Sequence, residues 1–342
     1  MLAAVYYNNH DVRIEEMPMP QIGDEEVLLK VMASGICGSD VIEWYRVPKA
    51  PRVLGHEATG VISKVGSKVK SLRVGDRVFV SHHVPCNQCR HCQRGHHTAC
   101  QTLRTSNYYP GGFAQYIRMP KINVEFGVYK LPEDTSFEEG TFIEPLACVS
   151  RGQRLANLQK EDTLLIIGSG ISGIMHAQLA KLKCVENIVV ADINPYRLQL
   201  AKKFGADHVL DAKENLPQKL KEVNHERLAD QVVVCTGATS AALAALDCVE
   251  SGGTILFFAV PDPTVKLSVP INQFWRNEIT MRTSYGAAPN DLEDSLKVLA
   301  SKRLNVKDMI THRLSLSEAQ EGFRLMAEAG QSLKVILEPN RV

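Results

Sequence analysis

The chain has almost no excess of either charge: 39 Lys and Arg stand against 38 Asp and Glu, a formal net charge of +1. That balance removes the electrostatic basis for capturing nucleic acid or an acidic membrane surface, so neither is expected as a partner. Long apolar runs are also missing, and none approaches the roughly 18 residues that a membrane helix needs. The opening residues, MLAAVYYNNHDVRIEE, have no basic n-region and only a short apolar stretch, which argues against a secretory signal. Cysteines number nine, an odd count that no complete set of internal disulfides can use. Together these features predict a cytoplasmic protein whose thiols stay free or bind metal. Tryptophan is scarce, at two residues, and there is no repeat or low-complexity tract. With 342 residues, 44% of them apolar, the chain can build two domains with substantial cores.

The pattern of short elements changes along the chain. Up to about residue 140 the sequence is β-rich, with strands expected at 26–32, 58–65 and 77–81 between Gly, Pro and Asp punctuation. From Thr163 strands and helices alternate. Strands are expected at 163–168, 187–192, 207–211, 231–235 and 254–260, and helices through Lys183 and at 195–204, 214–224 and 239–250. Such alternation predicts a parallel sheet covered on both faces. Two further helices, 290–301 and 317–328, precede a last strand at 333–338, and Ser317 with Gln320 reads as the capping box of the second. The β-rich part and the C-terminal tail are expected to form one domain, with the α/β part inserted. Cys184, Cys235 and Cys248 lie in apolar segments and are expected to be buried.

Cys86, Cys89, Cys92 and Cys100 crowd into fifteen residues as C-x2-C-x2-C-x7-C. The spacing suits one tetrahedral zinc held by four thiolates, a closed and therefore structural site. An iron–sulfur cluster is a rival, although its usual last gap is three residues followed by Pro. A disulfide pair is the other. His82, His83, His91, His96 and His97 surround this lobe and read mostly as solvent-facing loop residues.

Gly168-Ser169-Gly170-Ile171-Ser172-Gly173 is G-x-G-x-x-G between a strand and a helix. Its glycines allow a tight turn and close approach to a pyrophosphate, and the helix N-terminus favours negative charge. Asp192 ends the next strand, where a carboxylate can accept from an adenosine ribose and repel a 2′-phosphate. This predicts NAD in preference to NADP. Arg197, one turn into the following helix, is placed to lie over the adenine or to pair with a phosphate.

Three further segments hold scattered metal donors: Cys37 in ASGICGSD, His56 and Glu57 in LGHEATG, and Glu144 in FIEPLAC. Each alone has an ordinary structural reading. Together, Gly55-His56-Glu57-Ala58-Thr59-Gly60 with Gly66 and Val69, the C-G-S-D turn, the four-cysteine lobe and the later G-x-G-x-x-G resemble zinc-containing medium-chain alcohol dehydrogenases over essentially the whole chain. The resemblance implies a GroES-like catalytic domain at 1–150 carrying a structural zinc lobe at 82–104. It implies a doubly wound Rossmann domain at 151–285, a return to the first domain at 286–342, and an active site in the cleft between the domains. Glu144-Pro145 resembles the polyol branch: sorbitol, xylitol, threonine and sugar-phosphate dehydrogenases. In that branch Cys37 and His56 would bind a catalytic zinc, with Glu57 and Glu144 alternating with water and substrate. Ser39 would take the alcohol proton, and Asp40 would serve as a structural hydrogen-bond partner. Two zinc ions per chain, an alcohol or ketone substrate and a homo-oligomer, a tetramer before a dimer, are implied with it.

Two departures stand against a simple carry-over. Ile42 occupies the position of a frequent relay histidine, and Ser284 stands where sorbitol-type enzymes carry Arg before Tyr. Trp44 and Tyr45 are candidate pocket walls. The expected activity is NAD-linked oxidation of a secondary alcohol of a polyol to the ketone. A threonine or 2,3-butanediol dehydrogenase with the same metal and cofactor is the nearer alternative. A zinc-ribbon-like interaction module joined to a nucleotide sensor is the alternative of another class.

Overall fold

A computed structural model describes residues 1–341, which divide into two units. The first comprises residues 1–147, 287–302 and 306–342, and the second residues 148–286 and 303–305.

In the first unit the strand Val27–Ile36 is buried at eight of its ten positions. Its near-continuous apolar run suits a strand with neighbours on every side, and it pairs with three others: Glu57–Val65, Tyr116–Met119 and the C-terminal Lys334–Glu338. The sheet they anchor has seven strands, and a three-stranded sheet forms around Leu2–Asn8. Val27, Leu29, Val31, Ile62, Val78 and Ile117 share one apolar cluster, while Ile36, Phe113, Phe323 and Val335 belong to another. Register sets the chemistry: Gly35 lies opposite Glu57 on one side and opposite Ile336 on the other.

The second unit is a six-stranded parallel sheet flanked by helices. From one edge the strands run His208–Asp211, Asn187–Asp192, Thr163–Ile167, Ala229–Val234, Val249–Phe257 and Thr280–Thr283. The first strand in sequence therefore sits centrally and the order reverses beside it, the doubly wound arrangement whose ligands bind at the carboxyl ends of the strands. Thr163–Ile167 is wholly buried. Leu165 and Ile167 enter one apolar cluster and Leu164 and Ile166 another, as alternation in a strand covered on both faces requires.

Four sequence expectations need correction. The helix expected over 239–250 ends at Asp247, and the next strand starts at Val249 and ends at Phe257, because Gly252 and Gly253 continue it as an irregular extension. The capping box is formed by Ser315 with Glu318, whose carboxylate accepts from the Ser315 amide at 2.8 Å. The same S-x-x-E/Q spacing occurs twice, and the charged carboxylate is the stronger acceptor. Gln320 instead accepts from the Val12 amide at 2.7 Å and donates to the Asn9 carbonyl at 2.9 Å, tying the helix Ala319–Glu328 to the N-terminal hairpin. Cys184 is exposed, at a left-handed position (φ 60°) just past the C-terminus of a helix, and Cys235 is half-buried; Cys248 is buried. The fourth concerns His82 and His83, described below. Among the described residues no helix is long and apolar enough to cross a membrane.

Candidate active site

The four lobe cysteines converge, with every pair of sulfurs within 4.8 Å. Cys89 Sγ lies 3.6 Å from Cys92 Sγ, and Cys100 Sγ 3.6 Å from Cys86 Sγ. Four sulfurs at about 2.3 Å from one zinc stand about 3.8 Å apart in a tetrahedron, so the spacing fits the ion and is too long for a disulfide. Backbone amides of Cys89 and Cys86 point at the sulfurs of Cys86 and Cys100, at 3.3 and 3.5 Å, which stabilises thiolate.

The dispersed donors also meet. Ligand atoms of Cys37, His56 and Glu57 lie within 4.8 Å of one another. Cys37 directly follows the central strand Val27–Ile36, and His56 and Glu57 come from the loop before the next strand and its first residue, so sheet pairing brings them together. Thiolate, imidazole and carboxylate form a mixed donor set compatible with zinc. Glu144, near the start of the helix Ile143–Ala156, is outside this group. Its charge, with those of Asp40 and Glu57, adds to the upward push that burial exerts on the Tyr108 phenol.

Asp40 organises the site from behind. It is fully buried, lies 3.5 Å from His56 Nδ1 and 3.0 Å from Arg46 Nη2, and accepts from the Cys37 amide at 3.1 Å. Burial pushes its carboxyl up, but His56, Arg46 and the Cys37 amide outweigh that and hold it below the usual range. Burial likewise opposes charge on His56, yet Asp40 and Cys37 keep its pKa well above the ordinary value. A carboxylate on Nδ1 fixes the ring and leaves Nε2 for a metal. Arg46 also donates to Ser39 Oγ at 3.0 Å and, through Nε, to the Ser39 carbonyl at 2.9 Å.

Sequence reasoning missed several members of this neighbourhood. The lobe histidines are expected to face solvent for the most part, but His82 and His83 are half-buried and stacked with centroids 3.7 Å apart, and His82 lies 5.0 Å from the His56 ring. Burial and surrounding cations push His82 well below its normal pKa and His83 down to about 4. They come just after the buried strand Arg77–Val80 and the buried Ser81, which carries them inward. Tyr108 is buried, donates to the Gly55 carbonyl at 3.2 Å, and has its phenol pushed far up by burial and the three carboxylates. Lys334 is fully buried and paired with Glu57. A lone lysine inside LKVIL was the available signal, since a charge in a buried strand requires a partner.

In the second unit the glycine turn has the shape the motif demands. Gly168 has φ +101°, and a Cβ on Gly173 would stand 1.9 Å from the Gly168 carbonyl oxygen. Gly170 caps the helix Ile171–Leu182, whose first amides, from Ile171, Ser172 and Gly173, open toward the turn. Asp192 accepts from Ser169 through its amide at 2.6 Å and its hydroxyl at 2.8 Å, and from the Asn194 amide at 2.9 Å. Arg197 reaches the same turn: a Cβ on Gly170 would lie 3.7 Å from its Nη1. Among the described residues its Nε is buried without a partner, an unspent donor that fits a dinucleotide oxygen.

Residues 23–133 match the alcohol dehydrogenase GroES-like domain family, and residues 172–301 the zinc-binding dehydrogenase family. The chain belongs to the zinc-binding, medium-chain alcohol dehydrogenase family. Within it, the chain is 34% identical to the sorbitol dehydrogenase of Bacillus subtilis (strain 168), over 100% of this chain and 98% of that protein. It is 32% identical to the probable D-xylulose reductase A of Aspergillus clavatus, over 98% and 96%. Among solved structures, an alcohol dehydrogenase of Escherichia coli CFT073 complexed with NADH superposes with a TM-score of 0.88 at 27% identity, covering 99% of both chains.

Proposed function

We propose that this protein is a zinc-dependent dehydrogenase that moves hydride between a secondary alcohol of a polyol and NAD, giving the ketone. The observation that carries the reading is the meeting of Cys37, His56 and Glu57 within 4.8 Å on a buried Asp40 base. Relatives of sorbitol dehydrogenase and xylulose reductase type support the polyol class. Zinc at this position would act as a Lewis acid that lowers the pKa of a bound alcohol. Cys37 and His56 would hold it, Asp40 would orient His56, and Glu57 and Glu144 would complete the shell as water and substrate exchange. Ser39, anchored by Arg46, would receive the alcohol proton and pass it outward without a histidine at position 42. A second zinc in the four-cysteine lobe would brace the fold.

NAD is favoured over NADP because Asp192 places a carboxylate beside the glycine turn, where a 2′-phosphate would be repelled. Gly168, Gly170, Ile171, Ser172, Gly173 and Arg197 would bind the remainder of the dinucleotide. The protein would work in the cytoplasm as a homo-oligomer, a tetramer before a dimer. Supporting self-association, among the described residues the edge strand Thr280–Thr283 has a neighbour on one side only, Met281 within it is 40% exposed, and Ile271 and Trp275 of the preceding helix are 72% and 75% exposed. Such an open apolar edge is ordinarily covered. The test is an NAD-reduction screen over alditols, phosphorylated alditols, sugar acids, threonine and diols. Turnover confined to threonine or to none of them would overturn the polyol reading.

A further inference from the structure

Ser169 occupies a position of the glycine turn that the G-x-G-x-x-G pattern leaves open, yet its side chain is fully buried. Both of its donors go to one atom. Its amide reaches Asp192 Oδ2 at 2.6 Å and its hydroxyl reaches the same oxygen at 2.8 Å. The other oxygen, Oδ1, accepts from the Asn194 amide at 2.9 Å. Among the described residues these are all the hydrogen bonds that the buried carboxylate accepts, and Asp192 is the hydroxyl's one acceptor.

An ionised carboxylate offers about four lone-pair sites, two on each oxygen. Ser169 fills both sites of Oδ2, and Asn194 fills one of Oδ1. A single acceptor position is left. The hydroxyl adds little to the orientation of the carboxylate, because backbone amides already hold each oxygen. Those amides are themselves fixed. The turn at Gly168 is anchored by its amide on the Ala191 carbonyl at 2.8 Å. Asn194 caps the helix Pro195–Lys203, accepting from the Tyr196 amide at 2.9 Å. Nor can the hydroxyl turn away cheaply, since a buried donor left without an acceptor is destabilising. The hydroxyl therefore competes for the carboxylate more than it positions it.

We infer that Ser169 limits Asp192 to one hydroxyl of the adenosine ribose, although the vicinal diol of that ribose offers two. This rests on the ribose role proposed for Asp192 and specifies how that role is exercised. Ser169 is a positioning residue that acts through Asp192, and it sets dinucleotide affinity by occupying an acceptor site.

The test is calorimetric binding to the zinc-loaded full chain without substrate. The probes are NAD and two analogues that lack the 2′- or the 3′-hydroxyl of the adenosine ribose. Asp192→Ala should weaken NAD about 10-fold or more, the range for losing a hydrogen bond to a charged acceptor. In the wild type, at most one analogue should bind more weakly than NAD. In Ser169→Ala, NAD should bind about 3- to 10-fold more tightly, and both analogues should fall behind it. A merely structural hydroxyl predicts the opposite, weaker binding of NAD by Ser169→Ala. Two results would overturn the inference: a wild type that loses affinity for both analogues, or a Ser169→Ala protein that binds NAD no better. If that variant does not fold, the wild-type comparison decides alone. An Asp192→Ala protein with unchanged NAD affinity is a different failure: the ribose role itself is then wrong, and the inference falls with it.

Discussion

Lys334 and Glu57 form an ion pair in which both side chains are essentially fully buried, 277 residues apart in sequence. Gly35, between their strands, makes the room: a Cβ there would stand 2.2 Å from Glu57 Oε2 and 2.4 Å from Lys334 Nζ. The pair draws the carboxylate of a metal-donor candidate toward the sheet, and Phe142 covers the ammonium at 5.3 Å. Removing one partner strands the other charge in a low-dielectric interior. Lys334→Met should therefore lower unfolding free energy by about 3–5 kcal/mol, measured by urea denaturation. The double variant Lys334→Met with Glu57→Gln should recover most of that loss. Additive losses would show that the two charges do not depend on each other.

Metal removal should separate the two donor groups. The four-cysteine lobe is closed, with two of its sulfurs buried. Among the described residues the Cys37, His56, Glu57 group combines three donors, and in the proposed function it would leave a position for substrate. A chelator should extract one zinc readily with loss of turnover and leave the lobe zinc, as followed by metal analysis alongside activity. His56→Ala should lose the labile ion and turnover while retaining NAD binding. Cys89→Ser should lower thermal stability or disturb assembly before it changes turnover per folded chain. The reverse pattern would exchange the assigned roles.

Motifs whose meaning lies in close spacing were legible before any coordinates. Gly168 to Gly173 with Asp192 gave the dinucleotide turn, and the strand–helix alternation gave the doubly wound sheet. Relationships created only by strand register were not legible. Lys334 reaches Glu57 because the last strand pairs with Val27–Ile36 and that strand with Glu57–Val65, a geometry no local pattern encodes. Five histidines near four cysteines suggest a polar loop, whereas His82 and His83 come just after the buried strand Arg77–Val80 and pack inward, His82 beside His56. The capping box failed for a different reason: two candidate serines two residues apart compete, and the choice is energetic.

Cofactor selectivity tests the role of Asp192. Its carboxylate already accepts three hydrogen bonds from Ser169 and Asn194, so it supports the glycine turn in addition to the ribose role proposed for it. Asp192→Ala should raise KM for NAD and lower the ratio of kcat/KM for NAD over NADP by about tenfold or more, one good hydrogen bond to a charged acceptor being worth that much. A variant with lowered stability and an unchanged ratio would restrict Asp192 to holding Ser169. Gly173→Ala should abolish binding of both cofactors, since the added methyl meets the Gly168 carbonyl.

His176 predicts an acid-sensitive step in the stability of the dinucleotide unit. The side chain is completely buried in the helix Ile171–Leu182, edge-on to Phe258 at 4.8 Å, with Nδ1 3.4 Å from Gln153 Nε2 and Nε2 without a partner. Burial, with a smaller contribution from Lys183, pushes its pKa down to about 3 from the ordinary 6.5. Between these values the unfolded chain binds a proton that the folded chain does not. Stability therefore rises with pH across this window, and on acidification it is lost from about pH 6.5 downward until pH 3. The slope from this one group approaches 1.4 kcal/mol per pH unit. Urea unfolding of wild type and His176→Leu, compared at pH 7, 5.5 and 4.5, isolates it because other groups titrate equally in both. The stability difference should shift in favour of the leucine variant by about 1 kcal/mol between pH 5.5 and 4.5. A pH-independent difference would mean that a water or a local opening accommodates the imidazolium within the folded core.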